Sequence, residues 1–271
     1  MINKMKTINQ LMNLDSRKVI ITGAAGNLGK VIISTVAELG GELILVDRPG
    51  SDYSEILSSL DKSKNISIEI IDCNLENYNE RQKLIREVKN NSSSNLNVLI
   101  NNAAFVGESN LKGWTSKFED QSIDTWSRAI EVNLTAAFDL SKGLSKTLGI
   151  NGKGSIINIA SIYGLTGPVW PLYEGTDMGN PAAYAVSKGG LLQLTRWLAT
   201  TVAPDVRVNS ISPGGIWRNQ PSDFVKKYES RTPLGRMASE EDLKGAIAYL
   251  SSDLSSYVTG QNIVVDGGWT V

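Results

Sequence analysis

The sequence predicts an α/β fold, in which a single doubly wound parallel sheet of about seven strands is covered by helices in three layers. Seven short runs of β-branched and aliphatic residues recur along the 271 residues, and longer segments with apolar residues at helical spacing separate them. Runs that are apolar on both faces are typical of strands buried in a parallel sheet. A glycine-rich turn after the first run is the third observation, because such a turn is typical of nucleotide-binding α/β folds.

The expected elements alternate along the chain. The predicted strands are 18–22, 42–46, 66–71, 97–101, 155–160, 206–211 and 262–266. The predicted helices are 28–39, 79–90, 122–148, 183–203 and 240–251. Residues 14–271 are expected to form one domain, and residues 1–13 a disordered or loosely packed extension.

Composition limits the classes of function. The net charge of −1 gives no electrostatic reason to expect a nucleic-acid partner. No apolar run approaches the ~20 residues of a membrane span, and the single cysteine, Cys73, suits a reducing compartment. We therefore expect a cytoplasmic protein without nucleic-acid or membrane partners.

Histidine is absent from the chain. This excludes imidazole acid/base catalysis, the Ser-His-Asp triad and the usual histidine-bearing zinc sites. Proton chemistry therefore needs Tyr, Lys, Asp or Glu, and no metal site is expected.

A glycine-rich turn follows the first predicted strand in "TGAAGNLGK". Small residues at this place let the backbone approach a pyrophosphate at the positive N-terminus of the following helix. Glycine turns also occur between strands and helices without a ligand. The expected nucleotide-binding residues are Gly23, Gly26, Asn27, Leu28 and Gly29.

Asp47 ends the second predicted strand, about twenty residues past the glycines. A carboxylate there can accept hydrogen bonds from both ribose hydroxyls of adenosine and would repel a 2′-phosphate. Asp47 could also be an ordinary turn residue, and the neighbouring Arg48 leaves room for NADP. The sequence favours NAD as the cofactor.

Tyr184 and Lys188 fall one turn apart on a predicted helix in "NPAAYAVSKGG". A free phenol titrates near pH ~10, so proton transfer near neutrality needs roughly 4 kcal/mol of preferential stabilisation of the phenolate. A desolvated ammonium beside a cationic nicotinamide is expected to supply it. Taken alone, the pair could also arise by chance.

Several motifs in order make the chain resemble a classical short-chain dehydrogenase/reductase over roughly residues 14–271. They include the glycine turn, "LINNAAF", "SIINIAS", the Tyr-x-x-x-Lys pair, "SPGG" and "YVTGQNIVVDGGWT". The resemblance implies a Rossmann-type fold and catalysis by Asn133, Ser161, Tyr184 and Lys188, with Ser161 holding the reacting oxygen and Asn133 a water beside Lys188. It also implies cofactor contacts from Lys188 and from Asn74, Leu75, Asn102, Ala103, Tyr184, Pro213, Gly214 and Ile216.

The chain departs from the family pattern at three places. Asn27 stands where the middle glycine of the turn is usual, and we expect it to adopt the left-handed conformation that glycine would supply. Ala104 replaces the last Gly of Asn-Asn-Ala-Gly, and Asn74 replaces an Asp that commonly contacts adenine. The adenine contact is thereby put in doubt.

Two segments border the expected reacting centre, at 167–181 and 213–233. The first is an insertion between Ser161 and Tyr184 whose aromatic and acidic residues suit a polyhydroxylated ligand. It could instead pack on a neighbouring subunit or cap the ends of the strands. An arginine in the second could meet a phosphate or carboxylate. The expected substrate residues are Trp170, Tyr173, Glu174, Trp217 and Arg218.

The resemblance implies an NAD(P)-dependent oxidoreductase that interconverts a secondary alcohol and a ketone. The motifs "SIYG", "YEGT" and "GGIWRNQP" are similar to a subgroup linked to bacterial surface sugars, nonulosonic (legionaminic) acids and flagellin modification, which favours an amino sugar, sugar phosphate or nucleotide sugar. Alternatives are reduction of a 3-ketoacyl thioester and non-catalytic sensing of NAD(H). The resemblance also implies a homotetramer or homodimer formed through helices 122–148 and 182–203.

Overall fold

The computed structural model describes residues 5–61, 63, 66–91, 96–106 and 111–271. Seven parallel strands form one sheet in the order β3-β2-β1-β4-β5-β6-β7. The strands are β1 (Lys18–Thr22), β2 (Glu42–Asp47), β3 (Ile68–Asp72), β4 (Leu96–Asn101), β5 (Gly154–Ile159), β6 (Val206–Pro213) and β7 (Asn262–Val265). The predicted fold class is confirmed.

Helices cover the sheet. They are α1 (Ile8–Met12), α2 (Asn27–Glu38), α3 (Ser54–Ser59), α4 (Tyr78–Asn91), α5 (Ile123–Ile130), α6 (Ala136–Leu148), α7 (Ala182–Thr201), α8 (Ser222–Arg231) and α9 (Lys244–Ser251). Within the described ranges, none of these helices combines the length and apolar character needed to cross a membrane.

The core has two halves because successive strand residues point to opposite faces of the sheet. Val19 and Leu43 belong to a cluster that packs against α2 and α9, whereas Ile20 and Ile44 belong to one that packs against α4 and α6. Burial on both faces explains why the central strands are continuous apolar runs.

Residues 5–13, part of the segment expected to be disordered or loosely packed, contain the short helix α1. Thr7 caps α1 through a reciprocal pair of hydrogen bonds with Gln10. Lys6 lies 3.6 Å from Asp253, and Leu14 is fully buried. The cap at Thr7 and the contact between Lys6 and Asp253 hold α1 beside the body of the protein.

The predicted helix 122–148 is interrupted by a π-helical turn over Glu131–Thr135. Such turns often mark functional sites in helices, and Asn133 lies within this one. Helices α3 and α8 were not predicted, because each is short and buries only one or two side chains.

The order of the strands determines where a site can form. Strand β1 lies between β2 and β4, so the chain leaves its two sides in opposite directions and opens a crevice at the carboxyl ends of the strands. The sequence motifs follow those ends: Gly23 after β1, Asp47 at the end of β2, Asn74 after β3, Asn102 after β4 and Ser161 after β5.

Candidate active site

A cleft of about 1020 Å³ runs along the carboxyl ends of the strands. All fifteen residues expected to contact the cofactor line it, and so do Ser161 and Arg218. Cys73, Glu76 and Arg128 also line the cleft and were not anticipated. These fifteen residues lie together because each belongs to, or lies beside, a segment that follows the carboxyl end of a strand.

The glycine turn brings three backbone segments into contact. Gly23 has a φ of +64°, and a Cβ there would lie 2.7 Å from the Cα of Ala103. A Cβ on Gly29 would lie 2.3 Å from the carbonyl oxygen of Gly23. Gly26 precedes the first turn of α2, whose N–H groups face this loop. The turn therefore has no room for side chains at Gly23 or Gly29.

Asn102 braces this turn. Its Nδ2 donates to the carbonyl oxygens of Thr22 and Gly23, both at 2.9 Å. The Thr22 hydroxyl in turn accepts from the backbone N–H groups of Asn102 and Ala103, both at 3.1 Å. These bonds fix the glycine turn to the end of β4, a role for Thr22 that the sequence did not indicate.

Asn27 corrects one expectation. It is the first residue of α2 and is not among the non-glycine residues with positive φ, which within the described part of the chain are Ser16 and Asn219. The left-handed position belongs to Gly23 instead. Asn27 therefore fits the turn because a helical residue is needed there.

The carboxylate of Asp47 is fixed at the end of β2. Its Oδ2 accepts from the N–H of Ala25 at 2.9 Å, and its Oδ1 accepts from the N–H of Arg48 at 2.8 Å. Arg48 and Ser51 line the same end of the cleft. Asn74 forms a local turn, its Oδ1 accepting from the N–H of Glu76 at 3.1 Å.

Tyr184 and Lys188 lie on the same side of α7 and both line the cleft. The Lys188 Nζ is 5.7 Å from the centre of the Tyr184 ring and donates to the carbonyl of Ile159 at 2.7 Å. The Ser161 hydroxyl lies near enough to the Tyr184 phenol to lower its pKa. The predicted convergence of these three side chains is present in the structure.

Comparison with known proteins decides the family. A family model described as enoyl-(acyl carrier protein) reductase matches residues 23–270. The chain belongs to the short-chain dehydrogenase/reductase family. Members are NAD(P)-dependent oxidoreductases that act on CH–OH groups, and this chain is one of them.

Three similar proteins span nearly the whole chain. A 3-oxoacyl-[acyl-carrier-protein] reductase from Rickettsia conorii is 33% identical over 267 residues, with 95% of this chain and 98% of that protein covered. A short-chain dehydrogenase from Leptospira borgpetersenii with bound NAD⁺ is 32% identical, with a TM-score of 0.82 and 98% and 97% of the two chains covered. A candidate NAD(P)-dependent gluconate 5-dehydrogenase from Beutenbergia cavernae, with NADP at low occupancy, is 28% identical, with a TM-score of 0.83 and 96% and 98% covered.

Burial dominates the electrostatics of the site in this short-chain dehydrogenase/reductase. Burial raises the pKa of Tyr184, and the nearby Ser161 hydroxyl and the charge of Arg218 lower it by smaller amounts. Burial also lowers the pKa of Lys188 to about 8. Desolvation disfavours both charged forms, so the expected stabilisation of the phenolate by Lys188 and a bound nicotinamide stays a prediction.

Asn133 of the dehydrogenase/reductase is buried in the π-helical turn. Its Oδ1 accepts from the N–H of Phe105 at 2.6 Å, and its Nδ2 donates to the Ser187 hydroxyl at 3.0 Å. The Asn133 side chain therefore connects the loop after β4 to α7. Its partner on α7, Ser187, immediately precedes Lys188. The expected water contact of Asn133 stays a prediction.

The expected substrate residues are mostly elsewhere. Trp170 and Trp217 are more than half exposed, Glu174 is exposed, and none of the three lines the cleft. Tyr173 is buried and packs on Phe224 with ring centres 5.7 Å apart. Only Arg218 lines the cleft, where its Nε pairs with Glu240 at 2.9 Å.

The physical reason is that the insertion turns its aromatic residues into a local core. A 3₁₀ turn at Trp170–Leu172 buries Leu172 and Tyr173 in a cluster with Phe224, Tyr228 and Trp269. The end of the insertion, at Met178, Asn180 and Pro181, instead borders Tyr184. Tyr163 borders Tyr184 as well, and its place two residues after Ser161 is the sequence signal for this position.

Proposed function

We propose that this enzyme interconverts a secondary alcohol and a ketone with Tyr184 as the proton carrier. The observation that carries the proposal is the convergence of Tyr184, Lys188 and Ser161 in the cleft beside the glycine turn. Tyr184 is the ionisable hydroxyl in this group, and a positioned acid or base contributes about 10²- to 10⁴-fold to such a reaction.

The cleft fits a dinucleotide. The N–H groups of Asn27, Leu28 and Gly29 in the first turn of α2 have no intrahelical partners and would bind a pyrophosphate at the positive end of the helix. The Asp47 carboxylate would accept from ribose hydroxyls, which supports NAD over NADP. When bound, the nicotinamide accepts or supplies the hydride. Lys188 would hold the neighbouring ribose.

Proton transfer then rests on this chain's own side chains. In alcohol oxidation Tyr184 as phenolate accepts the hydroxyl proton, and in ketone reduction it donates that proton. The Ser161 hydroxyl holds the reacting oxygen within reach of the Tyr184 oxygen. Lys188 stabilises the phenolate, and Asn133 supports this arrangement through Phe105 and Ser187.

We propose a polyhydroxylated substrate such as an amino sugar, sugar phosphate or nucleotide sugar. Arg218 in the cleft suits an anionic group, and the likeness to a candidate gluconate dehydrogenase is consistent with a polyol. Reduction of a 3-ketoacyl thioester is the second candidate. Its support is the 33% identity to a 3-oxoacyl-[acyl-carrier-protein] reductase.

Assembly into a homodimer or homotetramer is part of the proposal. Phe138 on α6 and Val186 and Trp197 on α7 are large apolar side chains exposed to solvent in the single chain. Burying such residues across a two-fold axis would remove apolar surface from water. We place the enzyme in the cytoplasm, and size-exclusion chromatography with light scattering measures its oligomeric state.

Steady-state assays test the proposal. Oxidation of NADH and NADPH is followed with hydroxyketones, sugar nucleotides and an acetoacetyl thioester, and cofactor binding is measured by fluorescence. The proposal expects turnover with NADH and preference for hydroxylated substrates. A higher kcat/KM for the thioester would favour the second candidate. Tight NADH binding without turnover of any compound would instead favour a non-catalytic sensor.

A further inference from the structure

A second cavity, of about 220 Å³, lies against Tyr184, which also lines the cofactor cleft. Its other walls come from the loop after β4, from Tyr163 and from the end of the insertion at Met178–Pro181. Its volume is below the range of about 300–1,000 Å³ that encloses a drug-sized ligand. The cavity therefore has room for one small unit of a substrate, while the remainder would extend into the open cleft.

Asn180 stands out in this cavity. It is only 6% exposed, yet neither its Oδ1 nor its Nδ2 has a hydrogen-bond partner. Leaving a buried polar group unpaired is unfavourable, and such groups in folded proteins require an explanation. The Asn180 carboxamide thus lies beside the proposed proton carrier without a fully formed hydrogen bond, near the phenols of Tyr163 and Tyr173.

Two tyrosine hydroxyls accompany Asn180. The hydroxyls of Tyr163 and Tyr173 form a short hydrogen bond with each other. The Asn180 carboxamide is close enough to both phenols to lower their pKa values, although burial raises them overall. The rest of the wall is largely apolar, with Val106, Trp114 and Met178. Thr115 also lines the cavity, so the polar side chains beside Tyr184 are Asn180, Tyr163 and Thr115 in an otherwise apolar wall.

The lack of charged side chains around the cavity limits the chemical groups that it can bind. Among the described residues that line it, the only ionisable side chains are the phenols of Tyr163 and Tyr184, and no Asp, Glu, Lys or Arg is present. Burying a carboxylate or phosphate there without a cation would be strongly unfavourable. The group that fits is neutral and is both a donor and an acceptor, as a hydroxyl is.

We propose that this cavity binds the carbon next to the reacting carbon and that Asn180 recognises a neutral hydroxyl on it, assisted by Tyr163. Asn180 would donate through Nδ2 to the hydroxyl oxygen and accept the hydroxyl proton at Oδ1. The assignment rests on the proposed function and deepens it, since it makes Asn180 a residue that selects α-hydroxyketones over simple ketones.

A matched pair of substrates tests this assignment. Wild type, Asn180→Leu and Tyr163→Phe are assayed with NADH and either 3-hydroxybutan-2-one or butan-2-one, which differ by one hydroxyl. Asn180→Leu is expected to lower kcat/KM for the hydroxyketone by roughly 5- to 150-fold, mainly through KM. Its kcat/KM for butan-2-one should stay within about twofold of wild type. Asn79→Leu, at an exposed position of α4, is the matched control and should change neither value.

Each other result has a distinct meaning. Equal losses on both ketones, or no loss on either, would overturn the role of Asn180. A wild-type enzyme that uses butan-2-one at least as well as the hydroxyketone would also overturn the role of Asn180, but it would remain consistent with the proposed function. A wild type that binds NADH but reduces neither ketone, nor any other compound assayed, would remove the proposed function and this assignment together. If Asn180→Leu fails to fold, the same selective loss is required of Tyr163→Phe.

Discussion

Lys188 donates its Nζ hydrogen to the carbonyl of Ile159 at 2.7 Å, while the same Nζ lies 5.7 Å from the centre of the Tyr184 ring. The lysine is thus held by the end of β5 and directed toward the tyrosine by α7. A sheet terminus and a helix together determine the geometry of the proposed proton carrier, so the pair depends on the whole fold rather than on α7 alone.

Lys188 links this geometry to stability. Burial lowers its pKa to about 8 from an ordinary 10.5. Between these values the unfolded chain binds a proton that the folded chain has released, so this group makes the free energy of unfolding rise with pH. Below pH 8 the buried charge costs up to about 3 kcal/mol.

Compared with wild type, the variant Lys188→Met should therefore have its most favourable free energy of unfolding below pH 8. This gain relative to wild type should disappear as the pH rises toward 10.5. Urea unfolding of both proteins at several pH values measures the difference. Loss of the bond to Ile159 lowers the variant's stability at every pH, so the pH dependence of the difference is the test. A difference that does not vary between pH 7 and pH 10.5 would show that the ammonium is not desolvated as the structure indicates.

Arg218 should tune the pH dependence of catalysis. Its positive charge lowers the pKa of Tyr184, so Arg218→Gln raises that pKa. The rising limb of kcat/KM for alcohol oxidation, which follows formation of the phenolate, should move to higher pH by less than about 1 pH unit. Arg218→Lys keeps the charge and should leave the limb nearer its original position. A shift to lower pH in Arg218→Gln would contradict the assignment.

Gly29 should tolerate no side chain. A Cβ there would lie 2.3 Å from the Gly23 carbonyl and 2.4 Å from that of Ala24. Gly29→Ala must displace the turn, and we expect about 1–3 kcal/mol of destabilisation together with weaker NADH binding. The control is Gly245→Ala in α9, where nothing lies within 4 Å of the added atom.

Gly245→Ala should be neutral or stabilising by up to about 1 kcal/mol. Urea unfolding and fluorescence titration with NADH measure both effects. Equal stability and equal NADH affinity in the two variants would refute the close approach at Gly29.

The sheet and the cofactor side of the site were predictable for a common reason. Central strands of a parallel sheet are buried on both faces, so they appear as apolar runs whatever else surrounds them. The cleft residues then follow from counting to the end of each run. This is why Gly23, Asp47, Asn102 and Ser161 lie at or just after the ends of strands.

The substrate side depends on tertiary contacts that no local pattern encodes. Tyr173 turned inward because Phe224, some fifty residues later, completes its cluster. The burial of a charged side chain on α4, away from the substrate side, also depends on tertiary contacts. Arg81 is fully buried because Glu131, Asp139 and the carbonyl of Leu75 surround it. Asn180 gave no signal either, since an asparagine before a proline is usually a turn residue.

The variant Tyr184→Phe tests the central claim most directly, since it removes one oxygen and keeps the ring. We measure NADH affinity and kcat for ketone reduction, with Tyr257→Phe, at a fully exposed position, as the control. Tyr184→Phe should bind NADH within about twofold of wild type and lose kcat by about 10²- to 10⁴-fold, while the control is unchanged. A Tyr184→Phe enzyme that retains more than about a tenth of the wild-type kcat would contradict the role of this phenol.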